Sequence, residues 1–255
     1  MIALATESWY IFRRNFRIWL GQPMLLIPTI LLSIFIFIVW GSSFRASVDI
    51  PGFPASDYND YFTPMILIQT LIFASGDAGY ALLTDMLSGY FDKLLLAPIH
   101  RFSILMGVLL MTGVRMLVMT GIMLIIATII GVQFQGGFLG ILLIVLICAT
   151  FGVAWSCISI IIALKTKSAQ ATQSAFVLFF PPIFLTTGFM PKDLLPHWFQ
   201  VAVTINPVNY VLEAVRAITI VGWDWTPILQ GLFILLGLTA VLMGLATWMF
   251  RRATA

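Results

Sequence analysis

Long apolar runs separated by short polar breaks dominate the chain. A membrane-crossing helix needs about 20 consecutive apolar residues and must satisfy its backbone internally, because hydrocarbon offers no water to do so. Runs of this kind cover residues 23–40, 61–81, 103–131, 138–164, 171–188 and 228–250, and they predict six spans. No charged residue occurs between Arg115 and Lys165, a stretch too long for one span, and the turn-like residues 132–137 divide it into the third and fourth. A β-barrel is excluded, since its strands alternate apolar and polar residues in runs of about ten, and here the apolar runs are unbroken. Composition agrees: 61% of residues are hydrophobic and 9% are charged, where a soluble domain carries about 25% charged residues.

Three apolar segments do not read as spans. Residues 1–20 mix apolar and basic positions at helical spacing, with Trp9, Phe12, Phe16 and Trp19 on one face and Arg13, Arg14 and Arg17 elsewhere. That pattern predicts an interfacial helix with aromatics at headgroup depth and arginines toward anionic lipids. Those arginines also make the N-terminus unlike a cleavable signal. Residues 82–101 are too polar to span; Leu87, Phe91, Leu94 and Leu95 recur at helical spacing while Asp85, Ser88, Asp92 and Lys93 take other faces. They predict an amphipathic helix between the second and third spans, with Pro98 setting the start of the next span. In residues 189–227 the runs are short and punctuated by Pro191, Pro196, Pro207 and Pro227, which predicts broken half-helices. Residues 1–255 thus read as a single all-α transmembrane domain.

The charge distribution orients the chain. Arg13, Arg14, Arg17, Lys93, Arg101, Lys165, Lys167, Arg251 and Arg252 fall on one side, against Arg45, Lys192 and Arg216 on the other. The first side is expected to be cytoplasmic and to hold both termini.

Enzyme chemistry finds no support. His100 and His197 fall on opposite sides of the predicted membrane, so a two-His metal site is not expected, and no metalloprotease, nucleophile-elbow, calcium-loop or phosphate-loop motif occurs. Catalytic residues, metals, cofactors and nucleic acid are all expected to be absent from this chain. Cys148 and Cys157 sit roughly 13 Å apart on one helix, too far for a disulfide, and read as small apolar residues. Asp77 and Arg115 are charges within spans, costly unless paired or hydrated. They predict either a buried pair or two separate groups, Asp77 reaching the interface and Arg115 capping carbonyls.

The stretch FDKLLLAPIHR, ending at Arg101, resembles the acidic-x-Leu-Leu-x-x-Pro pattern after the second span in the membrane subunits of type-2 ABC exporters. That family includes bacterial drug-resistance, O-antigen and teichoic-acid export permeases. The amphipathic N-terminal helix, Arg115 in the third span, and Asn206, Pro207 and Tyr210 followed by Arg216 fit the same resemblance, which covers essentially the whole chain. It implies a coupling helix, with Asp85, Leu87, Phe91, Asp92, Leu94, Leu95 and Pro98 meeting a separate ATPase that carries ATP and Mg. It further implies two ATPase copies, a second permease chain, and short outer helices in which Phe189, Trp198, Phe199, Asn206, Pro207 and Tyr210 close a pathway. The expected function is export of a hydrophobic or amphipathic compound across a prokaryotic cytoplasmic membrane. A secondary transporter coupled through Asp77 and Arg115, or a membrane scaffold, are the alternatives.

Overall fold

The computed structural model describes residues 2–22, 24, 26–174 and 180–253. Its long elements are α1 (Ile2–Leu20), α2 (Ile27–Ser43), α3 (Tyr58–Leu87), α5 (Arg101–Ile130), α6 (Gly137–Thr166) and α11 (Trp225–Ala253). Between them lie shorter helices: α4 (Tyr90–Leu96), α7 (Ala169–Ser174), α8 (Phe180–Phe184), α9 (His197–Ile205) and α10 (Pro207–Arg216). No strand occurs among the described residues. Four of these helices, α3, α5, α6 and α11, are long and apolar enough to cross a membrane. At 29 or 30 residues, each rises about 45 Å, more than the roughly 30 Å hydrocarbon core requires. The chain is a multi-pass membrane protein by this measure. The apolar helix α2 has 17 residues, about 26 Å. Of the expected fifth span at 171–188, residues 175–179 lie outside the described residues, as does Pro23 at the start of the expected first span.

The central element is α3. Protein buries 72% of its apolar stretch, against 17% for α11, because α2, α5, α6 and α10 all pack on it. One apolar cluster, from Phe37 and Tyr58 to Leu235, joins parts of α2, α3, α5, α6, α10 and α11. A second, around Ile11, Leu82, Phe91, Leu105, Leu164 and Phe250, gathers the α4 end, so that α1 and α4 share a core with the ends of the long helices.

Local chemistry sets the ends of these helices. The Asp57 carboxylate accepts the Asn59 N–H at 2.7 Å and starts α3. The helix runs beyond the expected end of the second span to Leu87 and stops at Ser88–Gly89, where Gly89 takes φ +70. A left-handed residue there breaks the ladder, and glycine adopts it without the clash a Cβ brings. Residues 82–101, expected as one connecting helix, are therefore divided: 82–87 continue α3, and only Tyr90–Leu96 form the separate α4. Past α10, residues Ala217–Val221 widen into a π-turn. The carbonyls of Ile218 and Thr219 accept the N–H groups of Gly136 and Gln135, both at 3.0 Å, which ties the α5–α6 loop to α10.

Candidate functional site

An arginine engages α3 at each of three levels, and the first two bring expected site residues together. The first is the α4 end. Arg14, on α1, donates to both oxygens of Asp85, at 2.8 and 2.6 Å. Its guanidinium also lies 3.7 Å from the centre of the Tyr90 ring. A bidentate fork and a stacked cation use both faces of guanidinium chemistry at once. The hydrogen bond from Arg14 to Asp85 is the main reason the Arg14 pKa is raised. Arg13 and Arg17 are exposed, so of the three arginines Arg14 is the one turned into the protein. Trp9, Phe12, Phe16 and Trp19 stack in a row along α1 with ring centres 5.0 to 6.0 Å apart.

On α4, Phe91 is buried edge-on against Phe250 at 5.8 Å. Leu94 and Leu95 are half-buried in the same cluster. Asp92, Lys93 and Pro98 face outward, and Leu87, the last residue of α3, is 69% exposed. The most exposed leucine here is Leu96, at 88%. The expected apolar stripe thus divides its labour: Phe91, Leu94 and Leu95 attach the helix, while Leu87 stays uncovered, as do Asp92 and Leu96, the latter not part of that stripe.

At the middle level Arg115 pairs with Asp77. The sequence left open a pair or two separate groups; the structure joins them, with the Arg115 side chain 12% and that of Asp77 44% exposed. Two residues to either side of Asp77, the Ser159 hydroxyl of α6 accepts the Gly79 N–H at 3.2 Å and lies 2.8 Å from the Ser75 carbonyl, the two groups that define one rung of α3. Gly79 is needed for this approach, since a Cβ there would fall 2.3 Å from the Ser159 carbonyl oxygen.

The third level is the α10 end. Arg216, 7% exposed at its side chain, donates to the Glu213 carboxylate at 2.6 Å, the Thr187 hydroxyl at 3.0 Å and the Thr187 carbonyl at 2.9 Å. Its guanidinium lies 3.8 Å from the centre of the Tyr61 ring. Thr187 also bonds Glu213, and its N–H and hydroxyl both reach the Asn209 side-chain oxygen at 2.8 Å. The Tyr61 hydroxyl donates to the Thr187 carbonyl at 2.7 Å, and that of Tyr58 to the Phe189 carbonyl at 3.0 Å. A cavity of about 390 Å³ opens beside this network, lined by Tyr61, Thr187, Lys192, Glu213, Arg216 and Asp224 among others.

Of the remaining expected residues of this end, Asn206, Pro207 and Tyr210 hold the start of α10. Asn206 caps α10 through the Val208 N–H at 3.1 Å and donates to the carbonyls of Pro182 and Leu185 at 2.6 and 2.8 Å. Pro207 occupies the first helical position, and the Tyr210 hydroxyl donates to the Thr204 carbonyl at 2.8 Å. Phe189 is a hub, its ring within 5.3 to 6.4 Å of Trp40, Phe44, Phe62 and Phe184. Trp198 is 65% exposed, contacts Phe199, and stands apart from that hub.

Sequence reasoning missed Glu7, Tyr90 and Leu96 at one end, and Tyr61, Thr187, Asn209 and Glu213 at the other. Two signals pointed to them: Glu7 is an isolated acid in a basic helix, and Glu213 and Arg216 are spaced three apart in an otherwise apolar helix. No group of His, Cys, Asp and Glu suited to a metal ion occurs among the described residues.

Residues 6–220 match the family described as ABC-2 type transporter. A daunorubicin resistance ABC transporter permease protein, DrrB1, from Streptomyces coeruleorubidus is 26% identical over 237 residues, covering 91% of this chain and 80% of its own length. A putative transport permease, ycf38, from Cyanophora paradoxa is 26% identical, with 82% of this chain and 73% of the relative covered. A probable doxorubicin resistance ABC transporter permease protein, DrrC, from Mycobacterium tuberculosis is 26% identical over 65% of this chain and 60% of the relative.

Proposed function

The chain belongs to the ABC-2 type transporter family, and from that premise we propose that it is the membrane subunit of an ATP-driven exporter whose ATP and Mg are held by a separate ATPase. The observation that carries this reading is the α4 end. A short helix rests on one face through Phe91, Leu94 and Leu95, while its own Asp92 and Leu96, and Leu87 just before it, remain uncovered. Apolar knobs next to a charge suit insertion into a groove on a soluble partner. In this reading α2, α3, α5, α6, α11 and a span within 171–188 cross the prokaryotic cytoplasmic membrane. Both termini and α4 then face the cytoplasm, in keeping with the excess of Lys and Arg at that end.

Two permease chains, identical or paired with a second type, work with two ATPase copies. Closure of the ATPases on ATP shifts the permeases between two conformations. The α10 end, with Phe189 at the centre of its aromatic hub, is the outer closure. The cargo is hydrophobic or amphipathic, a drug, lipid or lipid-linked glycan. Two relatives named for daunorubicin and doxorubicin resistance favour the drug-like class.

The test is purification of the tagged chain from its native membrane in mild detergent. A stoichiometric P-loop ATPase is expected to accompany it, and efflux is expected to continue when the proton gradient is dissipated while ATP is maintained. Recovery without any ATPase, together with efflux that collapses with the gradient, points instead to a secondary transporter coupled through Asp77 and Arg115.

A further inference from the structure

The proposed ATPase contact depends on where α4 sits, and α4 has little means of holding itself in place. It is seven residues long, lacks a side-chain cap at Gly89, and leaves its helical path at Ala97. An isolated helix of that length is unstable in water. Its one fully buried side chain, Phe91, is the pivot of a shallow seat in which Leu94 and Leu95 are only half-buried.

Two polar contacts from α1 fall on either side of this pivot. Before α4, Arg14 forks Asp85 at 2.6 and 2.8 Å and covers the ring of Tyr90, the first residue of α4. After α4, the Glu7 carboxylate accepts the His100 N–H at 3.0 Å and the Ser103 hydroxyl at 2.7 Å, at the residues that open α5. Glu7 and Arg14 stand seven positions apart, two turns of one helix face and about 10 Å. Between them Ser8 and Ile11 are buried, and Ile11 presses on Gly107 of α5 so closely that a Cβ there would fall 2.6 Å from its methyl group. The face of α1 that carries the two posts is therefore seated on a spanning helix.

We infer that Glu7 and Arg14 are positioning residues of the ATPase contact. Helix α1 is a splint packed along α5, and its two posts hold the chain just before and just after α4, so that Leu87, Leu96 and Asp92 present one fixed surface. This rests on the reading that α4 meets the ATPase. It assigns to α1 a task that a membrane anchor does not have: Arg13 and Arg17 remain exposed for lipid headgroups, and Arg14 serves the protein.

The experiment is amide hydrogen exchange on the full chain in lipid nanodiscs, comparing the wild type with Arg14→Gln, Glu7→Gln and the double variant. Exchange across Tyr90–Leu96 is expected to quicken by about ten-fold in each single variant, as loss of charge-assisted bonds of this kind implies, and further in the double. Protection in α3, α5, α6 and α11 is expected to hold. Arg14→Lys, which keeps the charge without the fork, falls between wild type and Arg14→Gln. Wild-type exchange of α4 in the double variant overturns the inference, and so does a loss of protection spread evenly through the long helices.

Capture of the ATPase separates this from the docking reading. Leu96→Arg is expected to abolish capture without altering α4 exchange, whereas Arg14→Gln retains capture with about ten-fold faster dissociation. If Leu96→Arg still captures the ATPase, the docking reading fails and the splint is then no part of an ATPase contact, even where the exchange data show α4 to be held. If capture behaves as expected but Arg14→Gln dissociates at the wild-type rate, the splint alone fails.

Discussion

The two ends of α3 are held by the same chemistry set in different surroundings. At one end Arg14 pairs with Asp85 and covers Tyr90; at the other Arg216 pairs with Glu213 and covers Tyr61, and the two cation–ring distances, 3.7 and 3.8 Å, nearly coincide. The environments do not. The side chains of Arg14 and Asp85 are 30% and 17% exposed, and Arg14 bonds side chains, so either partner can be released into solvent. Arg216 is 7% exposed and donates to the Tyr61 and Thr187 carbonyls and the Thr187 hydroxyl as well as to Glu213, whose side chain is 36% exposed, so removing the arginine takes several hydrogen bonds at once from an enclosed site. One motif can therefore serve as a tie or as a built-in strut, and the burial of the arginine, with the number of its partners, decides which.

The largest effect tests the strut. Arg216→Ala is expected to cost about 3 kcal/mol or more, since several charge-assisted hydrogen bonds of a buried guanidinium are lost together, visible as loss of folded protein or a strongly lowered melting temperature in detergent. Arg216→Lys is expected to recover little, because an ammonium cannot serve the Thr187 carbonyl, the Thr187 hydroxyl and Glu213 together while covering Tyr61. A melting temperature within a degree of wild type for Arg216→Ala would erase the distinction between the ends.

Next comes the tie. Arg14→Ala is expected to cost about 1.5–3 kcal/mol by the same measurement, the scale of charge-assisted hydrogen bonds that are not fully desolvated. Tyr90→Leu should lose about 0.5–1 kcal/mol of cation–ring attraction at this partly exposed site. If Arg14→Ala proves as damaging as Arg216→Ala, burial is not what separates the ends.

Salt gives a smaller and more selective effect. Raising ionic strength from 0.1 to 1 M shortens the screening length from about 10 to 3 Å. The melting-temperature gap between wild type and Arg14→Ala should narrow, while the gap for Arg216→Ala should stay within error.

The smallest effect is acid. The Glu7 pKa is lowered from its ordinary value, first by the Ser103 hydroxyl and then by the His100 N–H. A carboxylate with a depressed folded-state pKa adds stability that is present above its unfolded pKa and lost as pH falls through the folded one. A spin-label distance between α1 and α5 should therefore hold from neutral pH down to the ordinary glutamate value of 4.5 and broaden only below it. In Glu7→Gln that acid transition should disappear.

The sequence made the long helices readable because their apolar runs exceed what any soluble helix needs, and α3, α5, α6 and α11 stand among those expected. The break at Ser88–Gly89 was harder to read. The amphipathic stripe from Leu87 to Leu95 continues across it in register, and only the positive φ of Gly89 divides α3 from α4. The arginine partners were harder still. Arg14 and Asp85 lie 71 positions apart, and Arg216 meets Tyr61 across 155; periodicity carries no information about such pairs. Asp77 and Arg115 were noticed because charges are rare within spans. Arg14 was grouped with Arg13 and Arg17 because nothing in a run of arginines tells which one turns inward. Asn206, Pro207 and Tyr210 were legible as a set, since a cap, a first-turn proline and a tyrosine one turn on form a local unit.

The hydroxyl of Ser159 reaches both groups of one rung of α3, and Gly79 lets the two backbones meet there. A side chain placed in that way acts as a dowel. Sliding α6 along α3 by one residue would pull Ser159 out of its seat and drive a side chain at a neighbouring position into the space only glycine leaves. That seat fixes the register of α3 against α6, and Asp77, two residues from both Ser75 and Gly79, sits on the same locked stretch of helix.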